Sequence, residues 1–190
     1  MERLDKIVLK FQDLHVEAKL FYEEYCNITE KTPEKRRQKW VTLSDKVWKT
    51  IKDETVNIIL VHLEAEEVLT KLVSEEWIHQ QFRAEQGIQG GTLYFIFLEE
   101  KEPPEGTVLE KFYYEMWCSA VISAARGFIG NELSIERNVS KSYAPGFDDI
   151  SYDVLKEWLE IVDPAHTYAS VNEHGVIEPS NSLLGVYYDR

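Results

Sequence analysis

Cysteine is scarce. The 190 residues hold two, Cys26 and Cys118, far apart and without metal-ligand or disulfide spacing. Each falls in a stretch of helical periodicity, and two unlinked thiols suit a reduced compartment, so a cytoplasmic setting is expected. Long apolar runs are also missing. None approaches the ~20 residues needed to cross a bilayer, and the N-terminus is charged from Glu2 with no signal-peptide core. Positive charge is in short supply: 21 Lys and Arg stand against 34 Asp and Glu, for a net charge of -13. That balance argues against nucleic acid and anionic membranes as partners, because both call for basic clusters. It is compatible with a basic partner, though acidic surfaces mostly serve solubility. Glycine numbers 9, and no P-loop, dinucleotide fingerprint or G-x-S-x-G elbow occurs. His166 and His174 lie near Glu173, but a metal needs three or more converging ligands, so no metal site is expected. No catalytic residue is assigned, since no acid–base or nucleophile set converges.

What is present is a chain 44% hydrophobic and 12% aromatic, enough for one sizeable core. Leu4, Ile7, Val8, Phe11, Leu14, Ala18, Phe21 and Tyr25 fall at helical spacing, which predicts a helix over residues 3–26. A polar loop with the basic run Lys35-Arg36-Arg37 follows. A second helix is expected through Trp40, Val47, Trp48 and Ile51, with Ser44 capping its later part. Val56–His62 is β-branched and reads as a buried strand. Residues 64–82 return to helical spacing, Gln89-Gly90-Gly91 breaks the chain, and Thr92–Leu98 is a second strand. Val108–Ile129 is the most apolar helix, closed by Gly130 as a C-cap. A strand over 132–139 follows, then a helix from Ser151 to Val162, then strands over 167–171 and 183–188. Helices and strands mix without a strict βαβ rhythm, so the fold class is α+β. The expected division is a helical extension over 1–54 and an α+β domain over 55–190.

The most informative stretch is Lys141–Tyr188. Ala144-Pro145-Gly146-Phe147 makes a turn with fixed φ at Pro145 and freedom for positive φ at Gly146. A helix follows, then Asn172-Glu173-His174, Pro179, Ser182 and Gly185. The order and spacing resemble the reactivation domain of cobalamin-dependent methionine synthase, whose pattern runs Arg-x-x-Pro-Gly-Tyr, a helix, Thr-Glu-Ser, Pro and Ser-x-Ser-Gly. Phe147 stands for the Tyr, and only Glu173 is kept of Thr-Glu-Ser. The family arginine falls on Ser142, with Lys141 and Arg137 the nearest cations. The family's domain continues past the point matched by Arg190, and its ligand-contacting tyrosine there has no counterpart here.

The resemblance implies a single α+β domain, to which the helical periodicity of the first 54 residues adds an N-terminal helical pair with no counterpart in the family. It implies an accessory module that docks on a corrinoid-binding protein and supports reductive remethylation of its cobalamin with S-adenosylmethionine. Ala144, Gly146, Phe147 and Glu173 are the expected ligand-binding residues, and cobalamin enters only through the partner. The loss of the arginine keeps open a second expectation, a ligand-free interaction protein that kept the fold and lost the pocket. The role of the N-terminal helices stays open between a lid, a homodimer element and a packing layer.

Overall fold

The computed structural model describes residues 4–16, 21–72, 88–99, 101, 103, 105–146 and 150–190. A four-stranded antiparallel sheet organises them. Strand β1 is Leu4–Lys10, β2 Thr55–Glu64, β3 Gly90–Leu98 and β6 Ser182–Asp189, in the order β1-β2-β3-β6. A two-stranded hairpin, β4 (Ser170–Val171) and β5 (Ile177–Glu178), stands beside it. The helices are α1 (Glu34–Ile51), α2 (Ala65–Lys71), α3 (Val108–Glu136) and α4 (Leu155–Val162).

Strand alternation sorts the core into two layers, because successive side chains point to opposite faces. Ile58, Tyr94, Ile96 and Tyr187 face one way and bury against Val47 and Ile51 of α1 and Trp117, Val121 and Ala125 of α3. Ile59, Val61, Leu93, Phe95, Leu184 and Val186 face the other way, towards Val68 of α2, Trp158 and Leu159 of α4, and Ile177 of the hairpin. β3 is buried along its whole length, as expected of a central strand covered on both faces. The chain is thus a single α+β domain.

The N-terminal segment departs from its periodicity. Residues 4–10 are not helix; they form β1, paired antiparallel to β2 from Leu4 opposite Val61 to Lys10 opposite Thr55. Ile7 and Leu9 pack on the α1/α3 core while Val8 stays 52% exposed. The same letters fit both periods, and pairing with the apolar edge of β2 decides between them. Phe11–Asp13 then makes a 3-10 turn and Phe21–Tyr25 a π-helical turn. The described residues among the first 54 therefore hold one long helix and an edge strand instead of a helical pair. That helix starts earlier than expected, so Ser44 is interior to it. Ser44 is fully buried, and its hydroxyl accepts from Trp117 Nε1 at 3.1 Å.

Other boundaries shift as well. α3 continues past Gly130, where the Tyr187 ring lies in the space a side chain would take, and ends at Glu136. The expected strand over 132–139 is reduced to a single bridge from Val139 to Asp189. Of the expected helix over 64–82, Ala65–Lys71 is helical and the part from residue 73 onward lies outside the described residues.

Candidate functional site

After α3 the chain runs beside β6, outside the four-stranded sheet. Tyr143 and Val186 exchange both backbone hydrogen bonds, at 2.9 and 2.8 Å. The alternation of this segment sends Tyr143 into the α4-side core and Ser142 towards the opposite layer. Ser142 is 5% exposed, and its hydroxyl lies 2.6 Å from that of Tyr94. Gly185 sits opposite Tyr94 in the sheet, and a side chain there would collide with the Tyr94 hydroxyl and the Tyr143 carbonyl. Tyr94 packs on Tyr187 with ring centroids 5.5 Å apart, and Tyr187 donates to the Arg126 carbonyl at 2.8 Å. Burial pushes the Tyr187 phenol above its ordinary pKa. Ser142 is therefore part of a closed polar seam within the core. The two neighbouring cations are engaged elsewhere. Arg137 Nη1 lies 3.1 Å from Asp189 Oδ2 and 2.7 Å from His62 Nδ1. Lys141 Nζ lies 4.9 Å over the Tyr143 ring.

The Pro-Gly turn forms as the sequence predicts. Gly146 has φ +80°, a conformation that favours glycine, and the Tyr152 ring lies against the space a Cβ would fill. Its N–H donates to the Ile150 carbonyl at 2.8 Å. Ser151 then starts the next helical segment, its hydroxyl accepting from Asp153 N at 3.1 Å. The turn, this helix start, the β4–β5 hairpin and the start of β6 enclose a cleft of about 400 Å³. Pro145, Tyr152, Leu155, His174–Ile177, Ser180 and Ser182–Leu184 line it. Its character is apolar, with the Ser180 and Ser182 hydroxyls and the His174 imidazole as polar groups. No Asp, Glu, Lys or Arg lines it among the described residues.

The sequence-predicted residues divide. Gly146 holds the turn beside the cleft. Ala144 is fully buried beneath it. Phe147 lies outside the described residues. Glu173 neighbours the lining residue His174 in a tight turn, where Asn172 Oδ1 accepts from His174 N at 3.0 Å and Val176 N at 3.1 Å. The Glu173 side chain is 86% exposed, with its carboxylate 3.6 Å from His174 Nε2. Sequence reasoning passed over Tyr152 and Leu183. An aromatic one residue past the helix cap, facing a Pro-Gly turn, was the available signal for Tyr152.

This arrangement of sheet and flanking helices has a known counterpart. The likeness is to the MetH reactivation domain. Its crystal structure, bound to AdoHcy, superposes with a TM-score of 0.67 over 98% of this chain and 78% of its own, at 9% sequence identity. No family model matches the chain, and no curated protein matches it in sequence. The fold is shared with the MetH domain along nearly the whole chain, the N-terminal residues included, at an identity too low to carry a residue's role across.

Proposed function

We propose that this chain is an accessory module that docks on a corrinoid protein and holds S-adenosylmethionine for reductive remethylation of the partner's cobalamin. The observation that supports the reading is the cleft of about 400 Å³ beside the Pro145-Gly146 turn, in a fold similar to one solved with AdoHcy. Its lining suits the adenosyl part of the ligand: Tyr152 offers a ring, Leu155, Val176 and Leu183 apolar contact, and Ser180 and Ser182 hydroxyls. The methyl group comes from S-adenosylmethionine when it is bound; this chain contributes position and shelter from water. The ligand's carboxylate finds no facing cation among the lining residues. An absent charge-assisted clamp leaves out ~1.5–3 kcal/mol per bond, a roughly ten- to hundredfold weaker site.

A second reading, an interaction protein without a ligand, is favoured by two observations. Ser142 is sealed against Tyr94 where the family's arginine falls, and Glu173 points to solvent. Calorimetric titration with S-adenosylmethionine separates the two. Weak, saturable binding that Val176→Trp removes by filling the cleft supports the first. No heat from the folded chain, with a purified corrinoid protein still retained on it, selects the second. Failure to retain any corrinoid protein under reducing conditions overturns the docking itself.

A further inference from the structure

A separate pocket lies in the opposite layer, where α1, the turn at Tyr22 and α3 meet. It has a volume of about 480 Å³, within the range of small-molecule sites. Tyr22, Trp48 and Trp117 supply its aromatic surface, and Leu14, Val16 and Val41 its aliphatic surface. Asp45 is the one carboxylate that lines it among the described residues, His15 stands at its edge as an exposed imidazole, and no described Lys or Arg lines it. Asp45 is exposed and Tyr22 and Trp48 are half-buried, so a ligand can reach all three.

The rings and the carboxylate are held together. Val41, Asp45 and Trp48 fall at helical spacing on one side of α1. The Tyr22 hydroxyl donates to Asp45 Oδ1 at 2.8 Å. Burial first, and then that bond, push the Tyr22 phenol above its ordinary pKa, so it stays a donor. Trp48 packs on Trp117 with ring centroids 4.4 Å apart. Trp117 is fixed in turn by Phe21, stacked at 3.7 Å, and by Ser44 Oγ, which accepts from its Nε1 at 3.1 Å. The charge of Asp45 is left over. α1 carries Lys35, Arg36, Arg37, Lys39, Lys46 and Lys49, yet Lys46 reaches across to Glu110 at 2.7 Å and Asp45 forms no ion pair with a described residue. Its second oxygen, Oδ2, is free beside the rings.

Aromatic faces carry negative charge density, and an unneutralised carboxylate beside them adds to it, so the pocket suits a cation. Its lining also selects the kind. An unsubstituted ammonium brings three donors, and few acceptors face it here, so some would go unpaired. A methylated ammonium presents methyl groups instead, which suit ring and aliphatic surface. We propose that this pocket binds the methylated ammonium head of a small molecule, its methyl groups set against Trp48 and Tyr22 and its charge balanced by Asp45. The proposal does not rest on the cleft at Pro145, which lies across the sheet.

The test is calorimetry and thermal shift at fixed ionic strength with choline, with its uncharged tert-butyl analogue neohexyl alcohol, and with ethanolamine, which has the charge without the methyl groups. Choline should bind and raise the melting temperature. Neohexyl alcohol and ethanolamine should each bind about tenfold more weakly or worse, since one loses the charge and the other the methyl contacts. Asp45→Asn keeps an acceptor for Tyr22 at an exposed position, and it should fold as the wild type does and lose choline by about tenfold or more. Trp48→Leu should weaken choline more than neohexyl alcohol; should that variant fail to fold, Asp45→Asn carries the test alone. No binding of choline at millimolar concentration overturns the proposal. Equal binding of choline and neohexyl alcohol would show a merely apolar pocket and overturns it too. Ethanolamine binding as well as choline, or undiminished choline binding by Asp45→Asn, does the same.

Discussion

Ser142 is the residue where the motif resemblance and the packing point in different directions. The resemblance implies an arginine at its position, and by motif alone an arginine there would restore a clamp. The structure gives the opposite expectation. The side chain points into the core, 2.6 Å from the Tyr94 hydroxyl and beside Gly185, which has no room to offer. Ser142→Arg should therefore destabilise the chain by about 3–5 kcal/mol, the range for an uncompensated buried charge, with no gain in S-adenosylmethionine binding. Ser142→Ala should cost only about 1 kcal/mol, one net hydrogen bond. Denaturant unfolding of both variants checks the order. An arginine variant as stable as the wild type would mean that Tyr94 swings aside and that the clamp position is open after all.

At the scale of elements, the N-terminal end of α3 is set by chemistry that can be titrated. Thr107 and Glu110 form a reciprocal capping box: Glu110 Oε2 accepts from Thr107 N at 2.8 Å, and Thr107 Oγ1 accepts from Glu110 N at 3.3 Å. Lys46 of α1 reaches the other carboxylate oxygen at 2.7 Å. Lys46 first, then the Thr107 backbone and hydroxyl, hold the Glu110 carboxyl at about 2, below its ordinary 4.5. A depressed carboxylate contributes stability above its unfolded pKa and loses it as pH falls towards the folded one. The difference in stability between wild type and Glu110→Gln should thus be constant at neutral pH and shrink between about 4.5 and 2. Thr107→Ala should cost about 1 kcal/mol. A Glu110→Gln difference that does not change across that acid window would show that the carboxylate is not held there. The same elements show what the sequence made legible. β2, β3, β6, α3 and α4 were readable because each has one period and one apolar face or run. β1 was not, because Ile7, Val8 and Phe11 suit a helix as well as a strand until β2 supplies the partner. The Pro145-Gly146 turn was readable from its two residues. The cleft beside it was only partly so: Tyr152, Ser180 and Leu183 come together through tertiary packing, and the exposure of Glu173 depends on the direction of a two-strand hairpin that no local pattern fixes.

For the whole molecule, the net charge of -13 sets the balance between attraction and self-repulsion. Among the described residues, several ion pairs lie at the surface: Lys10–Asp53 at 3.8 Å, Lys71–Glu67 at 3.0 Å and Lys101–Glu54 at 3.8 Å. Pairs of that kind contribute roughly 0–1 kcal/mol each. Arg137–Asp189, at 3.1 Å and part-buried, is screened less. Repulsion among the excess acids acts over the whole surface and is relieved on unfolding, which spreads the charge. Raising ionic strength from about 0.01 M to about 0.15 M shortens the screening length from about 30 Å to about 8 Å. That change reaches the long-range repulsion before it reaches contacts of 3–4 Å. The melting temperature should therefore rise over this range in sodium chloride at neutral pH, most steeply at the low end, and then level off. Thermal unfolding followed by circular dichroism reads this directly. A fall in melting temperature would mean that the close pairs outweigh the excess charge, and the acidic surface would then be a source of stability instead of a cost that the core of Phe95, Trp158 and Val121 has to offset.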